Sequence, residues 1–319
     1  MHGLAAVYKK ELQDQLSSYR FVILFALIAM VSFITSYMAA VHLRENLETL
    51  SATRFPFLML FSTPGVMFSM IQFVAFFGPL IGIVSGFDAI NRERSQGTLI
   101  KVIAQPVYRD AVINGKFLAG VTTVALMFTA ILLVISGFGL AVVGVVPGVE
   151  EILRLFIYLV VSIFYIAFWL ALSILFSILF KSMATSALAS VALWIFLSFF
   201  VSLGAEVAAD MVVPIDRKNE STPEEVLRHV HVQEAVSLFS PMVLYSNATA
   251  TIIDPMRKTT RSFVLMGPLE ELLSARFRNP LTLGQSLLIV LPHMLALVAI
   301  TVICFAISYT IFMLQEVRT

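Results

Sequence analysis

Apolar residues fall in six runs along this chain, and charged residues are largely confined to the stretches between them. A hydrocarbon core about 30 Å thick is crossed by roughly 20 helical residues, and a charge at its centre costs about 2.5–3.5 kcal/mol on insertion scales. The runs that meet both conditions are approximately Phe21–Val41, Gly65–Phe87, Phe117–Val143, Leu155–Phe180, Thr185–Ala205 and Ser286–Leu314. Only Lys181–Ala184 separate the fourth from the fifth, which predicts a tight helical hairpin. The first run follows a charged amphipathic segment and precedes no small-residue cleavage site, so it reads as a retained helix rather than a signal peptide.

Between the runs the pattern changes. Over Gly3–Tyr19 a helical period places Leu4, Tyr8, Leu12, Leu16 and Tyr19 on one face and Lys9, Lys10, Gln13 and Asp14 on the other, as in a helix lying in a membrane interface. The polar stretch between spans five and six, residues 206–285, is cut by Pro214, Pro223, Pro241, Pro255, Pro268 and Pro280. Within it, Thr222-Pro223-Glu224-Glu225 predicts a helix start that runs through about Leu238. Pro241–Ile253 predicts a second, apolar helix too short to span, placed to dip into the outer leaflet or to cap the spans. Thr282 and Gln285 form a capping box at the entrance to the last span. The expected fold is an all-α membrane protein with six transmembrane helices, an amphipathic N-terminal interfacial helix (residues 1–20) and a helical extracytoplasmic segment. Residues 1–319 are expected to form a single transmembrane domain.

Composition agrees with this pattern. The chain is 59% hydrophobic and 13% charged, with a mean hydropathy of +0.93, whereas soluble domains carry about 25% charged residues. A net charge of +1 offers no basic field for nucleic acid, and the single cysteine, Cys304, excludes an intramolecular disulfide. Charge asymmetry sets the orientation. Ten Lys and Arg residues lie on the side of the N-terminus, and Arg44, Arg54 and Arg154 lie in the short segments opposite. The eight in residues 206–285 do not vote, since loops longer than about 60 residues translocate regardless of charge. Both termini are therefore expected to be cytoplasmic.

The richest chemistry lies in residues 88–116, a charged island between two runs that contain no Asp, Glu, Lys or Arg. After Glu93-Arg94-Ser95-Gln96-Gly97-Thr98-Leu99, the spacing of Leu99, Val102 and Ile103 predicts a short amphipathic helix ended by Pro106. Its apolar edge offers knobs for a partner's groove, and Arg92, Glu93, Arg94 and Lys101 can pair with charges around that groove. Arg109 and Lys116 are expected to anchor the returning chain at the headgroups.

The pattern Asp88-x-Ile90-x-x-Glu93-Arg94-x-x-Gly97-Thr98-Leu99, followed by Gln105-Pro106-Val107-x-Arg109 and Gly115-Lys116, resembles the membrane subunits of type-2 ATP-binding-cassette (ABC) transporters. Lys10-Glu11-Leu12 in the N-terminal helix and Ser240-Pro241-x-x-x-Tyr245 before the last span extend the resemblance over essentially the whole chain. It is closest in flavour to the permease branch that includes the nitrous-oxide-reductase maturation permease, although residues 206–285 are longer than the external helices of many members. The resemblance implies a coupling helix in residues 88–116, with Arg92, Glu93, Arg94, Gly97, Thr98, Leu99, Val102 and Ile103 meeting a separate cytoplasmic ATPase present in two copies. It also implies a second copy of this permease, with ATP and Mg held by the ATPase. The expected function is ATP-driven transport across the inner membrane, as export of an amphiphilic or lipid-like substrate. The alternative is support for maturation of a periplasmic metalloenzyme through copper or sulfur delivery, with residues 206–285 docking an extracytoplasmic protein.

Other signals are weaker. No phosphate-binding loop is present, since Gly115-Lys116 leads into Phe117, so the chain is expected to be non-catalytic. The proposed span interiors hold no carboxylate, which disfavours an ion-coupled carrier or an intramembrane enzyme, and His293 beside Pro292 reads as a polar contact at a kink. His229 and His231 are two apart and do not share a helical face, so no metal is expected there. Gly78, Pro79, Gly82 and Gly86 in span two read as close packing or as a hinge. Phe68, Phe73, Phe76, Phe77, Trp194, Phe199 and Phe200 suit either a cargo wall or a lipid-facing surface.

Overall fold

The structure is a computed structural model and describes residues 2–45, 55–62, 70–97, 108–214, 223–255 and 280–314. It contains α1 (His2–Leu16), α2 (Tyr19–Glu45), α3 (Met59–Ser62), α4 (Met70–Gly86), α5 (Asn91–Ser95), α6 (Arg109–Val143), α7 (Val149–Leu179), α8 (Met183–Ile195), α9 (Val201–Val212), α10 (Pro223–Ser237), α11 (Pro241–Ile253) and α12 (Leu283–Leu314). A single π-helical turn, Phe196–Phe200, joins α8 to α9. Among the described residues there is no strand, and six helical stretches are long and apolar enough to cross a membrane. The protein is thus an all-α, multi-pass membrane protein.

Burial identifies α7 as the central pillar. Of its most apolar window 67% is buried, against 17% for the first and fifth spans. Trp169, Tyr158 and Tyr165 of α7 are among the largest fully enclosed side chains. Helices α4, α11 and α12 pack around α7, while the outward residues of α2, α8 and α12 form an apolar perimeter. Such a perimeter is the solution a bilayer demands, because helices satisfy their own backbone groups and lipid accepts the apolar side chains.

The α4–α7 seam explains the glycines of span two. A Cβ on Gly82 would lie 2.6 Å from the Ile166 carbonyl oxygen and 2.9 Å from the Leu170 nitrogen, and one on Gly86 would collide with Ser173 Oγ. These glycines therefore bring two backbones into contact, as small residues do in membrane bundles. Pro79 lies inside α4 and cannot donate to the carbonyl of Ala75, four residues back. Tyr165 of α7 supplies the missing bond, its hydroxyl donating to Ala75 O at 2.7 Å. The Tyr165 ring in turn stacks on Tyr245 of α11, with centroids 4.4 Å apart.

Helix α11 is the short apolar helix expected before the last span, and each of its residues is buried. It turns from α10 at 113° and inserts among α4, α7 and α12 instead of resting on the bundle surface. Its C-terminal carbonyls are held by Arg154. Nη1 of that side chain donates to Thr251 O (3.3 Å), Ile252 O (3.2 Å) and Ser286 Oγ (3.1 Å), and Nη2 donates to Leu281 O (2.7 Å) and Glu150 Oε1 (2.9 Å). The same guanidinium lies over the Phe55 ring at 5.1 Å. Arg154 was expected in a surface segment just before the fourth span. It is fully enclosed within α7, because a planar cation with five donors can serve several carbonyls at once and favours the negative end of a helix. Beside it Glu151 accepts the backbone N–H groups of Gly148 (2.8 Å) and Phe57 (2.9 Å).

Several expected boundaries hold. Helix α10 starts at Pro223, α12 opens with the Thr282–Gln285 capping box, and only Phe180–Ser182 separate α7 from α8. Span five runs longer than expected, to Val212, because Asp210 sits at its end with a half-exposed carboxylate near the His229 ring (3.7 Å). His229 Nδ1 also lies 2.9 Å from Val213 O, while His231 is exposed on another face. The aromatic residues of spans two and five form a packing seam. Phe76 meets Phe77, Trp194 and Phe199 at 5.0, 5.5 and 6.1 Å, while Phe196 and Phe200 are largely exposed. Phe68 lies outside the described residues.

Candidate coupling site

The charged island begins where α4 ends. The chain turns through Phe87–Ile90 into the single turn of α5, and Gly97 follows with φ +65°, a left-handed conformation in which glycine carries no steric penalty. Three sets of contacts seat this turn on the bundle.

The first comes from the pillar. Ser177 Oγ, buried on α7, accepts the backbone N–H groups of Ile90 (3.0 Å) and Asn91 (3.1 Å), two donors that the start of a helix leaves unpaired. Asn91 Nδ2 donates to Ser182 O at 3.3 Å in the hairpin after α7. Beneath them Ile90 packs with Ile113, Ile174, Ile178 and Phe312, which brings α6, α7 and α12 under the island.

The second is an ion pair to span one. Arg20 Nη1 donates to Asp88 Oδ2 at 2.6 Å, with the guanidinium 5.1 Å above the Phe87 ring. The third is a buried triad in which Lys116 Nζ donates to Glu93 Oε1 (2.8 Å) and Glu11 Oε1 (2.9 Å). Lys116 is 5% exposed. Two expectations are corrected here: Glu93 turns inward and does not face a partner's groove, and Lys116 is enclosed and does not reach headgroups. The cause is α1, which packs along the start of α6 so closely that a Cβ on Gly115 would touch Val7. Tyr8 donates to Thr122 Oγ1 at 3.1 Å on the same seam. Glu11 sits on the inward face of α1 with Leu4, Tyr8, Leu12 and Leu16, and a carboxylate buried there requires a cation. Tyr19, assigned by period to that face, is exposed instead because α1 stops at Leu16 and α2 takes a new direction.

Of the expected coupling residues, Arg92 is exposed, Arg94 is half-buried and Gly97 is exposed at the end of α5. Thr98, Leu99, Val102 and Ile103 lie outside the described residues. Gly78, Pro79, Gly82 and Gly86 are gathered on the α4–α7 seam, one turn and more from α5. Sequence reasoning missed Ser177, Asp88, Arg20, Lys116 and Glu11 as anchors of the island. The available signal was charge arithmetic, since Glu11 on an otherwise apolar helical face needed a partner.

Among the described residues no group of His, Cys, Asp and Glu is arranged to hold a metal ion, and Ser177, Lys116, Glu93, Glu11 and Asp88 are all engaged in seating the turn. It is a platform bonded to or packed on five helices, α1, α2, α6, α7 and α12. A family model described as "ABC-2 family transporter protein" matches residues 5–317. A curated relative, "Probable ABC transporter permease protein NosY" of Pseudomonas aeruginosa, is 33% identical over 94 residues. That match covers 30% of this chain and about a third of the relative's length. With a six-span helical bundle and a family match over nearly its full length, the chain belongs to the ABC-2 family of transporter proteins.

Proposed function

We propose that this permease works an export cycle in which a separate ATPase, present in two copies, pushes on residues 88–116 of each of two permease chains. In this reading the α1 end faces the cytoplasm, both termini are cytoplasmic, and the bundle lies in the inner membrane. Thr98, Leu99, Val102 and Ile103 would complete the docking surface begun by Arg92, Arg94 and Gly97. ATP and Mg belong to the ATPase, and the cargo is amphiphilic.

The observation that carries the reading is the seating of α5. A lever transmits force only if it is fixed to what it moves, and this one is tied to α1, α2, α6 and α7 through Glu93, Asp88 and the Ser177 cap. Arg92 projects from it into the open. The buried carboxylates among the described residues, Asp88, Glu93 and Glu151, lie at span ends and are bonded to Arg20, Lys116 and backbone N–H groups, which fits an external energy source better than ion coupling.

Arg92→Glu alters only an exposed side chain, so the purified permease is expected to remain monodisperse. Its affinity for the ATPase is expected to fall about tenfold, the effect of removing and reversing one charge contact. Unchanged ATPase affinity together with unchanged stimulation of ATP hydrolysis in the reconstituted complex would remove the island from the mechanism.

A further inference from the structure

At the α1 end, between the α1–α2 bend and the α4–α5 turn, lies a cleft of about 810 Å³, within the size range of ligand sites. Its lining changes with depth. The mouth carries Lys10, Asp14, Arg20, Asp88 and Arg92, while Phe21, Leu24, Ile81, Val84, Val124 and Met127 line the interior. Met127 lies eleven residues beyond Lys116 on α6, so the apolar part runs about 16 Å along the spans at 1.5 Å per residue. One wall is α2, whose apolar window is only 17% buried, so the cleft borders the bilayer region.

Charge narrows the occupant. The lining holds four cations (Lys10, Arg20, Arg92, Lys116) and four anions (Glu11, Asp14, Asp88, Glu93), a net charge of zero. Arg20 with Asp88, and Lys116 with its two carboxylates, are already paired at 2.6–2.9 Å. Lys10 and Asp14 are loosely associated at 3.9 Å, with both side chains 60% exposed. Lys10 also lies 3.5 Å from Glu11 Oε1, a contact longer than the 2.9 Å bond that Glu11 makes to Lys116, so Lys10 and Asp14 offer a loosely held cation and anion on the same face of the mouth.

We infer that this cleft binds a zwitterionic phospholipid of the adjoining leaflet, its phosphate at Lys10, its ammonium at Asp14 and an acyl chain along Leu24, Val84, Val124 and Met127. This deepens the proposed function by giving the amphiphile a chemical class, and it rests on that reading only for which leaflet is meant.

The test uses the full chain in nanodiscs with no ATPase, so its result is independent of coupling. A phosphatidylethanolamine with a photoactivatable acyl chain is expected to form adducts at Leu24, Val84, Val124 and Met127, above the background at the exposed positions Val302 and Ile303. Val84→Trp, which fills the cleft, is expected to lower the cleft adducts about tenfold and to leave the background adducts unchanged. Asp14→Lys, at an exposed position, is expected to reverse the preference from phosphatidylethanolamine to phosphatidylglycerol. Adducts no stronger than at Val302, or a headgroup preference untouched by Asp14→Lys, would overturn the site. If lipid labels the cleft while Arg92→Glu leaves ATPase docking intact, the coupling reading fails and the lipid site stands.

Discussion

Lys116 shows how the environment of one residue can reverse the meaning of a sequence. As the last charge before an apolar run it reads as a headgroup anchor, yet it is enclosed between Glu93 and Glu11. Removing one partner from a buried ion cluster costs about 3–5 kcal/mol, because the remaining charges stay desolvated, whereas replacing the whole cluster with neutral groups of similar shape is close to neutral. Lys116→Met is therefore expected to lower the thermal unfolding midpoint in detergent by several degrees. The triple variant Glu11→Gln, Glu93→Gln, Lys116→Met is expected to recover most of the loss. A single variant as stable as the parent would show that the triad does not hold α1 against the island. Arg154 makes the same point at the opposite end. Its charge placed it outside the apolar runs, but its role at the end of α11 depends on carbonyls from residues 251, 252 and 281, which no local pattern brings together.

At the scale of elements, the helices were legible because membrane physics writes them plainly. Length, apolarity and absence of charge located the six spans, and cap chemistry at Pro223 and Thr282 located α10 and the start of α12. Packing was less legible. Gly78, Gly82 and Gly86 signalled close approach, but their partner on α7 is a matter of tertiary register. Nothing in the sequence announced that Tyr165 would replace the hydrogen bond denied by Pro79. Tyr165→Phe keeps the ring and its stacking on Tyr245 but leaves Ala75 O without this donor, a cost of about 1–3 kcal/mol for a buried acceptor. The expected result is a lower unfolding midpoint with a smaller effect than Gly82→Leu, which would force α4 off the α7 backbone. Equal effects from the two would mean that the seam is not set by backbone contact.

At the scale of the whole molecule, the alternation of spans fixes which segments share a face, and labelling can read this out. Cys304 is buried, so cysteines placed elsewhere report with little background. In intact cells a membrane-impermeant maleimide is expected to label Phe239→Cys, at a position 76% exposed beyond span five, and to miss Gln96→Cys until the membrane is permeabilised. The reverse pattern would invert the proposed orientation and place the island away from any cytoplasmic ATPase.

The pillar α7 touches both faces through fixed polar contacts. At one end Ser177 grips the turn into α5, midway Tyr165 spans the proline break of α4 while its ring rests on α11, and at the far end Arg154 grips the closing carbonyls of α11. Under the proposed coupling, a displacement delivered to α5 would pass along one helix that is bonded at both of its ends. The enclosed helix at the far side would then shift with the pillar or lose its bonds to Arg154.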